Sequence, residues 1–95
     1  SGGFKIFPET VETKLSSAIK NPFFVSRFPD DTLGYKLIVI IEGNVSQTDQ
    51  INSKIQSCDA LDKFEVPKSL FFVNKIETKN GKILRELTLK INKLI

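Results

Sequence analysis

The sequence contains no histidine and a single cysteine, Cys58. Histidine is the commonest general base near neutral pH and the commonest metal ligand. Histidine-bearing zinc sites, Cys–His pairs and Ser–His–Asp triads are therefore excluded within this chain. One cysteine cannot form an internal disulfide, which favours a reducing, cytoplasmic compartment. We expect Cys58 to be a small core residue. Any chemistry must then depend on lysine, arginine, carboxylates, hydroxyls or backbone amides.

Methionine is also absent from the 95 residues, so we expect the chain to be part of a longer protein, with Ser1 as a possible cloning remnant. No apolar run approaches the roughly 20 residues that a transmembrane helix needs. We expect neither a secretory leader nor membrane association. The length suits one domain over residues 1–95, and 40% apolar with 26% charged residues is ordinary for a globular protein.

The positive charge is concentrated in the last third of the chain. The net charge is +3, but from Asp62 onward eight lysine and arginine residues face four acids, giving +4 for that stretch. Such a segment could meet the phosphates of a nucleotide, of coenzyme A or of nucleic acid. Solvated lysines on a helix and a few loops explain the same charge equally well.

The hydrophobic pattern alternates between strand and helix periods. It predicts strands over residues 4–7, 23–28, 36–42 and 69–76, with 36–42 as a central strand covered on both faces. Helices are predicted from Pro8 to about Ile19, after a Ser46/Asp49 capping box, and in the tail. The second helix would bury Ile51, Ile55 and Cys58. In the tail, the helical spacing of Leu84, Leu87, Ile91 and Leu94 competes with the alternation of Leu87, Leu89 and Ile91, and we favour the helix.

Turn residues separate these elements. Pro29, Asp30, Asp31 and Gly34 predict a loop, residues 59–68 an irregular segment, and Asn80-Gly81 a tight turn in which both residues tolerate positive φ. The predicted fold class is α/β (α+β), a small mixed sheet packed with amphipathic helices. We expect Phe23, Phe24, Phe71 and Phe72 to belong to the core.

Two segments carry a family resemblance: SGGFKIFPETVE at residues 1–12 and FEVPKSLFFVNKIETKNGKILREL at 64–87. In order and spacing, with YKLIVIIEG between them, they resemble the C-terminal domain of the adenylate-forming superfamily, the AMP-binding enzymes that include acyl- and aryl-CoA synthetases. The resemblance spans essentially the whole chain. Its opening is most similar to that of o-succinylbenzoate–CoA ligases of menaquinone biosynthesis. The chain departs from the family where Ile76-Glu77-Thr78 replaces Pro-Arg-Thr, and where Thr10 replaces the first glutamate of Pro-x-Glu-Val-Glu.

The resemblance implies a ligase that uses ATP with magnesium, a carboxylic acid and coenzyme A, with most of the site on the enzyme's own N-terminal domain. It implies that Lys82 is the catalytic lysine of the adenylation step, a step that a positioned ammonium suits because charge builds on phosphoryl oxygens. Gly2 and Gly3 would line the coenzyme A tunnel, and Lys5 would lie near its phosphates. Without the resemblance, Lys82 reads as a solvated turn lysine and the glycines as a chain terminus. The isolated chain is expected to bind no cofactor and to be inactive.

Two other classes of function fit the composition. A small nucleic-acid-binding module would use the basic tail, but it would need exposed aromatics interleaved with arginine on a sheet, and the chain has two arginines and an aliphatic central strand. A protein-interaction domain without catalysis is the other. On the family resemblance, we expect neither nucleic acid nor membrane as a partner.

Overall fold

The structure is a computed structural model that describes residues 6–32 and 34–95. Within these ranges the elements in chain order are α1 (Pro8–Leu15), β1 (Phe23–Asp30), β2 (Gly34–Glu42), a 3-10 turn (Val45–Gln47), α2 (Thr48–Gln56), β3 (Ser69–Val73), β4 (Thr78–Lys79), β5 (Lys82–Ile83) and α3 (Arg85–Ile91). The predicted mixed α/β fold class is confirmed. No helix in the described part of the chain is both long and apolar enough to cross a membrane.

The main sheet has the strand order β1-β2-β3. β1 pairs with β2 antiparallel, and β2 pairs with β3 parallel, so that Ile40 stands opposite Phe24 on one side and Phe71 on the other. A parallel pair requires a crossover, and α2 lies in the connection between β2 and β3. The mixed sheet predicted from the alternating pattern is therefore present, with β2 at its centre. A separate antiparallel hairpin is formed by β4 and β5.

The sheet separates two apolar clusters because successive side chains of a strand point to opposite faces. The α1–α2 side buries Val11, Leu15, Ile19, Val25, Leu37, Val39, Ile41, Ile51 and Ile55. The α3 side buries Phe24, Ile40, Val73, Ile76 and Leu89. The prediction that β2 is covered on both faces is thus confirmed.

The aromatic residues predicted for the core divide between the two sides of the sheet. Phe24 is fully buried, and Phe23 and Phe72 pack against the α1–α2 cluster, so these three are core residues. Phe71, which stands beside Ile40, is 41% exposed. The prediction is wrong in degree for Phe71, because the seven-residue α3 covers less of its side of the sheet than α1 and α2 cover on theirs.

The start of the described chain differs from the predicted strand over residues 4–7. Residues 4 and 5 lie outside the described ranges, and Ile6 and Phe7 belong to no strand. Phe7 is instead the N-cap of α1, and its carbonyl accepts hydrogen bonds from the amides of Thr10 and Val11 at 3.0 and 3.2 Å. Pro8 follows as the first helical residue, as predicted.

α1 ends at Leu15, four residues before the predicted end at Ile19. Ser16 begins the turn that replaces the last predicted helical turn, and its hydroxyl donates to the carbonyl of Thr13 at 2.7 Å. Serine hydroxyls compete in this way with the helical pattern of hydrogen bonds. Ile19 is nevertheless buried, because its amide still bonds to the carbonyl of Leu15 at 3.0 Å and keeps the chain against the sheet.

The capping box ahead of α2 is shifted by two residues from the predicted Ser46/Asp49 pair. The Asn44 side chain accepts from the Ser46 amide at 2.8 Å, and the Gln47 side chain accepts from the Asn44 amide at 3.2 Å. α2 then buries Ile51 and Ile55 as predicted. Cys58 lies just past the helix, partly buried against the same cluster, with its thiol 3.6 Å from the carbonyl oxygen of Lys14. The prediction that Cys58 is a core residue is confirmed to the extent that its side chain packs against this cluster.

Two strand ends also differ from prediction. β1 continues through Pro29 and Asp30, which were predicted as loop. Because β1 is an edge strand, a proline without an N–H group is tolerated there. Gly34, with φ of +83°, begins β2 after a shorter turn. At the other end of the sheet, β3 stops at Val73 and not at residue 76.

The tail forms the favoured helix, but it buries a different face from the one expected. The buried side chains of α3 are Thr88 and Leu89, whereas Leu87 is 43% and Ile91 56% exposed. Leu84 and Leu94 are only half-buried. The rotation of this short helix is set by polar contacts at its first turn, described below, and these contacts have no counterpart in hydrophobic spacing.

Candidate site on the β4–β5 hairpin

The predicted tight turn is confirmed in the β4–β5 hairpin. Asn80 has φ of +53° and Gly81 has φ of +80°, the combination that a two-residue hairpin turn of type I′ requires. Lys79 and Lys82 are paired directly across the turn. The turn therefore presents two lysines side by side at the tip of a short hairpin.

Lys82 is exposed, and its ammonium group has no ion-pair partner among the residues that the structure describes. Three other basic side chains in the same ranges form ion pairs, Lys14 with Glu65, Arg85 with Glu12 and Lys90 with Glu86, whereas Lys79 across the turn forms none there. An ammonium group held at a turn and unmatched by a local carboxylate remains available to an anion from outside the domain.

The base of the hairpin is fixed by hydrogen bonds to two neighbouring elements, β2 and α3, and by one bond between its own two ends. The Ile76 amide donates to Oε1 of Glu42 at 2.9 Å, at the end of β2. The Glu77 amide donates to Oγ1 of Thr88 in α3 at 3.0 Å, and the Leu84 amide donates to the Glu77 carbonyl at 2.8 Å. Thr88 is fully buried, and its hydroxyl donates in turn to the Leu84 carbonyl at 2.8 Å.

An ion pair connects the segment that follows the hairpin to α1. Arg85 binds the Glu12 carboxylate with two N–H groups, Nη1 to Oε2 and Nη2 to Oε1, the second at 2.9 Å. Oε2 of Glu12 also accepts from the Val25 amide of β1 at 2.8 Å. The hydrogen bonding of Arg85 to the Glu12 carboxylate raises the pKa of Arg85 despite its partial burial, so the guanidinium stays charged.

The sequence reasoning missed this pair. Glu12 and Arg85 both lie inside the segments quoted for the family resemblance, but they are 73 positions apart and neither was a candidate site residue. The sequence signal was weak: Glu12 follows the apolar Val11, and Arg85 follows Ile83 and Leu84. Of the predicted site residues, Lys82 lies on the hairpin, and Gly2, Gly3 and Lys5 lie outside the described residues.

A groove of about 580 Å³ lies at the opposite end of β2 from the hairpin base. Its walls are largely apolar, and its rim carries three lysines; it is lined by Ile6, Tyr35, Lys36, Leu37, Lys63, Phe64, Val66, Pro67 and Lys68. The Lys63 ammonium lies 5.0 Å from the centre of the Phe64 ring, a distance at which cations are attracted to aromatic faces. The groove could accept a ligand that is apolar and anionic at once.

No group of histidine, cysteine and acidic side chains in the described ranges could hold a metal ion.

Solved structures with a similar fold share a common description. The chain aligns with an AMP-forming acyl-CoA synthetase/AMP-acid ligase II-like protein from Dyadobacter fermentans at 28% identity and a TM-score of 0.78, covering 96% of this chain and 28% of that one. The chain also aligns with a fatty acyl CoA synthetase of Mycobacterium tuberculosis at 22% identity and a TM-score of 0.73, covering 99% of this chain and 19% of that one. It has the fold of an acyl-CoA synthetase domain.

ATP-bound MatB from Rhodopseudomonas palustris is a further similar structure, at 20% identity and a TM-score of 0.71, with 97% of this chain and 19% of that one covered. No protein-family model and no curated protein matches the chain. The two matches under 25% identity bear on the fold alone. The chain spans between about a fifth and somewhat over a quarter of the length of these proteins.

One departure from the family pattern has a structural counterpart in this synthetase-like domain. Ile76 stands at the position where the resemblance noted in the sequence would lead one to expect proline, and its amide makes the hydrogen bond to Glu42 described above. Proline has no N–H group and could not make that bond. Ile76 also buries its side chain beside Val73 and Leu89. In this chain the hairpin base is thus held by a contact that the usual family residue could not provide.

Proposed function

We propose that the chain is the C-terminal domain of an AMP-forming acid–CoA ligase, and that Lys82 is the lysine of its adenylation step. The observation that carries this proposal is the Lys82 ammonium, which has no ion-pair partner in residues 6–32 and 34–95, on a turn whose base is fixed in a chain with an acyl-CoA synthetase domain fold. In the full-length enzyme the hairpin would insert into a cleft of the N-terminal domain, where ATP and the acid bind.

In the proposed first half-reaction, a carboxylate oxygen of the acid attacks the α-phosphorus of ATP. The bond from that phosphorus to the bridging oxygen breaks, and pyrophosphate leaves as the acyl-adenylate forms. Negative charge on the phosphoryl oxygens increases in the transition state, and Lys82 would lie against it as a compact positive charge. Magnesium would accompany the ATP phosphates and neutralise part of their charge.

In the proposed second half-reaction, the sulfur of coenzyme A attacks the acyl carbon, AMP leaves and the thiol proton is released. Gly2, Gly3 and Lys5 are proposed to contact coenzyme A, because backbone without side chains allows close approach and a lysine suits phosphate. The lysine-rimmed groove beside Phe64 supports an anionic, partly apolar ligand on the same domain.

The acid we propose is o-succinylbenzoate, in menaquinone biosynthesis, and the support for it is the likeness of the opening segment to that family. The proposed partner of the domain is the enzyme's own N-terminal domain, and the proposed compartment is the cytoplasm. Nucleic-acid binding has less support, since it requires exposed aromatics on a sheet. Here Phe24 is buried and Phe23 packs into the core, and Phe71 is the one exposed aromatic residue of the described strands, so there is no row of aromatics on the sheet.

The deciding experiment compares wild type, Lys82→Ala and Lys79→Ala in the full-length enzyme. Acid-dependent ATP–pyrophosphate exchange reports the first half-reaction, and thioester formation from preformed acyl-adenylate reports the second. We expect Lys82→Ala to slow exchange about a hundredfold or more, on the order of 3 kcal/mol, with thioester formation largely kept. Lys79, paired across the same turn, is the matched control and should retain both activities.

Unchanged exchange in Lys82→Ala would refute the proposed role of Lys82. An equal loss of exchange activity in Lys79→Ala would mean that the total positive charge of the turn supports the reaction, and not the position of one lysine. The proposed acid is tested in the same assay, since exchange must depend on o-succinylbenzoate and not proceed equally with a simple aromatic acid.

A further inference from the structure

We propose that Arg85 is a positioning residue for Lys82, which it serves by tying the hairpin to α1 through Glu12. This inference deepens the proposed function and rests on it. Arg85 lies only three residues after Lys82 and is the first residue of α3. Its side chain binds Glu12 in α1, which is 73 positions earlier in the sequence.

The geometry of the Arg85–Glu12 pair fixes an orientation as well as a distance. Two N–H groups of the guanidinium meet the two oxygens of one carboxylate, the fork arrangement that a lysine could not reproduce. The Arg85 side chain is 38% exposed and that of Glu12 16%, so the pair is partly shielded from water. The guanidinium also lies 5.5 Å from the centre of the Phe24 ring, which restricts it from one side.

Glu12 is itself held in place, which makes it an effective anchor. Its Oε2 accepts the Val25 amide at 2.8 Å, so the carboxylate bridges α1 and β1. Val11, next to it in α1, is fully buried against the sheet. A group that is fixed by both a backbone amide and a packed helix transmits that position to Arg85.

The hairpin needs such an anchor because it has little structure of its own. β4 and β5 contain two residues each, and an isolated two-stranded hairpin is marginal in water. Leu84, between β5 and Arg85, closes the hairpin through its amide bond to Glu77. The direction in which the chain enters α3 at Arg85 therefore sets the direction of the hairpin. A displacement of about 1 Å in a catalytic group can cost about a hundredfold in rate.

A second ion pair, which lies entirely within α3, provides a control for the Arg85–Glu12 pair. Lys90 and Glu86 are one helical turn apart, with Nζ and Oε1 separated by 3.5 Å, and both are largely exposed. This pair joins two residues of the same helix, so it cannot fix α3 or the hairpin relative to α1. Glu86→Gln therefore removes an ion pair from the same helix without removing a link between elements.

The kinetic test uses the full-length enzyme at a temperature where every variant is folded. We expect Arg85→Met to lower kcat of ATP–pyrophosphate exchange about a hundredfold with little change in KM for ATP. Glu12→Gln keeps an acceptor for the Val25 amide but loses the ion pair, and should show a smaller loss in kcat. Arg85→Lys should recover part of the loss, and Glu86→Gln should behave as wild type.

The dependence on Lys82 is tested by combining substitutions. In a Lys82→Ala background, Arg85→Met should cause no further loss, because a positioning residue has nothing left to position. A full additional loss in that background would overturn the proposal, as would an unchanged kcat in Arg85→Met when Lys82→Ala alone is impaired. In the second case the proposed function of Lys82 would stand without the role of Arg85.

A structural readout separates this inference from the proposed function. Nitroxide labels on cysteines introduced at Ser17 and Lys79, both exposed, report the distance between the α1 end and the hairpin in a background without native cysteines. Arg85→Met should broaden that distance distribution, and Glu86→Gln should leave it narrow. An unchanged distribution in Arg85→Met would overturn the positioning role whatever the kinetics. If Lys82→Ala proved fully active, broadening would still support the link while the proposed function failed.

Discussion

Nζ of Lys14 lies 2.6 Å from Oε1 of Glu65, joining α1 to the irregular segment at residues 59–68. Glu65 is only 8% exposed, and the same oxygen accepts the Asp62 amide at 2.9 Å. Burial by itself would raise the pKa of Glu65. The hydrogen bonds from Lys14 and from the Asp62 backbone outweigh it and lower that pKa below its ordinary value of 4.5. Glu65 in turn raises the pKa of Lys14.

This pair predicts an acid-sensitive contribution to stability. Because the pKa of Glu65 is lower in the folded state, its contribution is fully present above the ordinary value of 4.5 and is lost as pH falls through the folded pKa. Glu65→Gln should lower the free energy of unfolding at neutral pH and weaken its fall in acid. Urea denaturation across that range measures both. Glu86→Gln is the control from an exposed pair, and it should keep the wild-type acid dependence.

Thr88→Val tests the anchor at the hairpin base. The substitution keeps the shape of a fully buried side chain but removes its hydroxyl. That hydroxyl accepts a hydrogen bond from the Glu77 amide and donates one to the Leu84 carbonyl. We expect about 1–3 kcal/mol of lost stability and faster hydrogen exchange of the Glu77 amide. Thr13→Val, which removes an exposed hydroxyl bond within α1, should change stability by no more than about 0.5 kcal/mol. Equal effects at both positions would contradict this account.

Gly81→Ala tests the backbone of the turn. Gly81 has φ of +80°, and a Cβ placed there would meet no atom within 4 Å, so any cost comes from backbone strain alone. We expect about 1–2 kcal/mol of destabilisation in thermal or urea unfolding. Gly81→Asn should cost less, since asparagine tolerates the left-handed region better. An alanine variant as stable as wild type would show that the turn adopts another conformation.

Two leucines of α3 test which face of the helix is buried. Leu89 packs with Phe24 and Ile40, so Leu89→Ala should cost about 2–5 kcal/mol. Leu87 is 43% exposed, and Leu87→Ala should stay within about 0.5 kcal/mol of wild type. The spacing of apolar residues in the sequence predicts the reverse order. Equilibrium unfolding of the two variants decides between the two faces.

The sequence was most informative where local chemistry decides the structure. The aliphatic run of β2 required cover on both faces, and Asn80-Gly81 required a turn with two positive φ values. The rotation of α3 was not predictable, because the Glu77 amide and Thr88 orient that helix against the apolar spacing. The same holds for Glu12 and Arg85, since a contact between such distant residues depends on how the sheet brings α1 and α3 together.

The order of the strands also predicts when, during folding, Lys82 reaches its final position. β1 and β2 are neighbours in sequence, whereas β3 joins β2 only after the crossover that contains α2. Local pairings close at a lower entropic cost, so we expect the β1–β2 hairpin to form first during refolding. Pulse-labelled hydrogen exchange should find the amide of Ile40, which stands opposite Phe24 in β1, protected before that of Glu77, and simultaneous protection would contradict this sequence of events. A chain that has completed only its early steps would then possess a sheet, but not yet a lysine directed at any substrate.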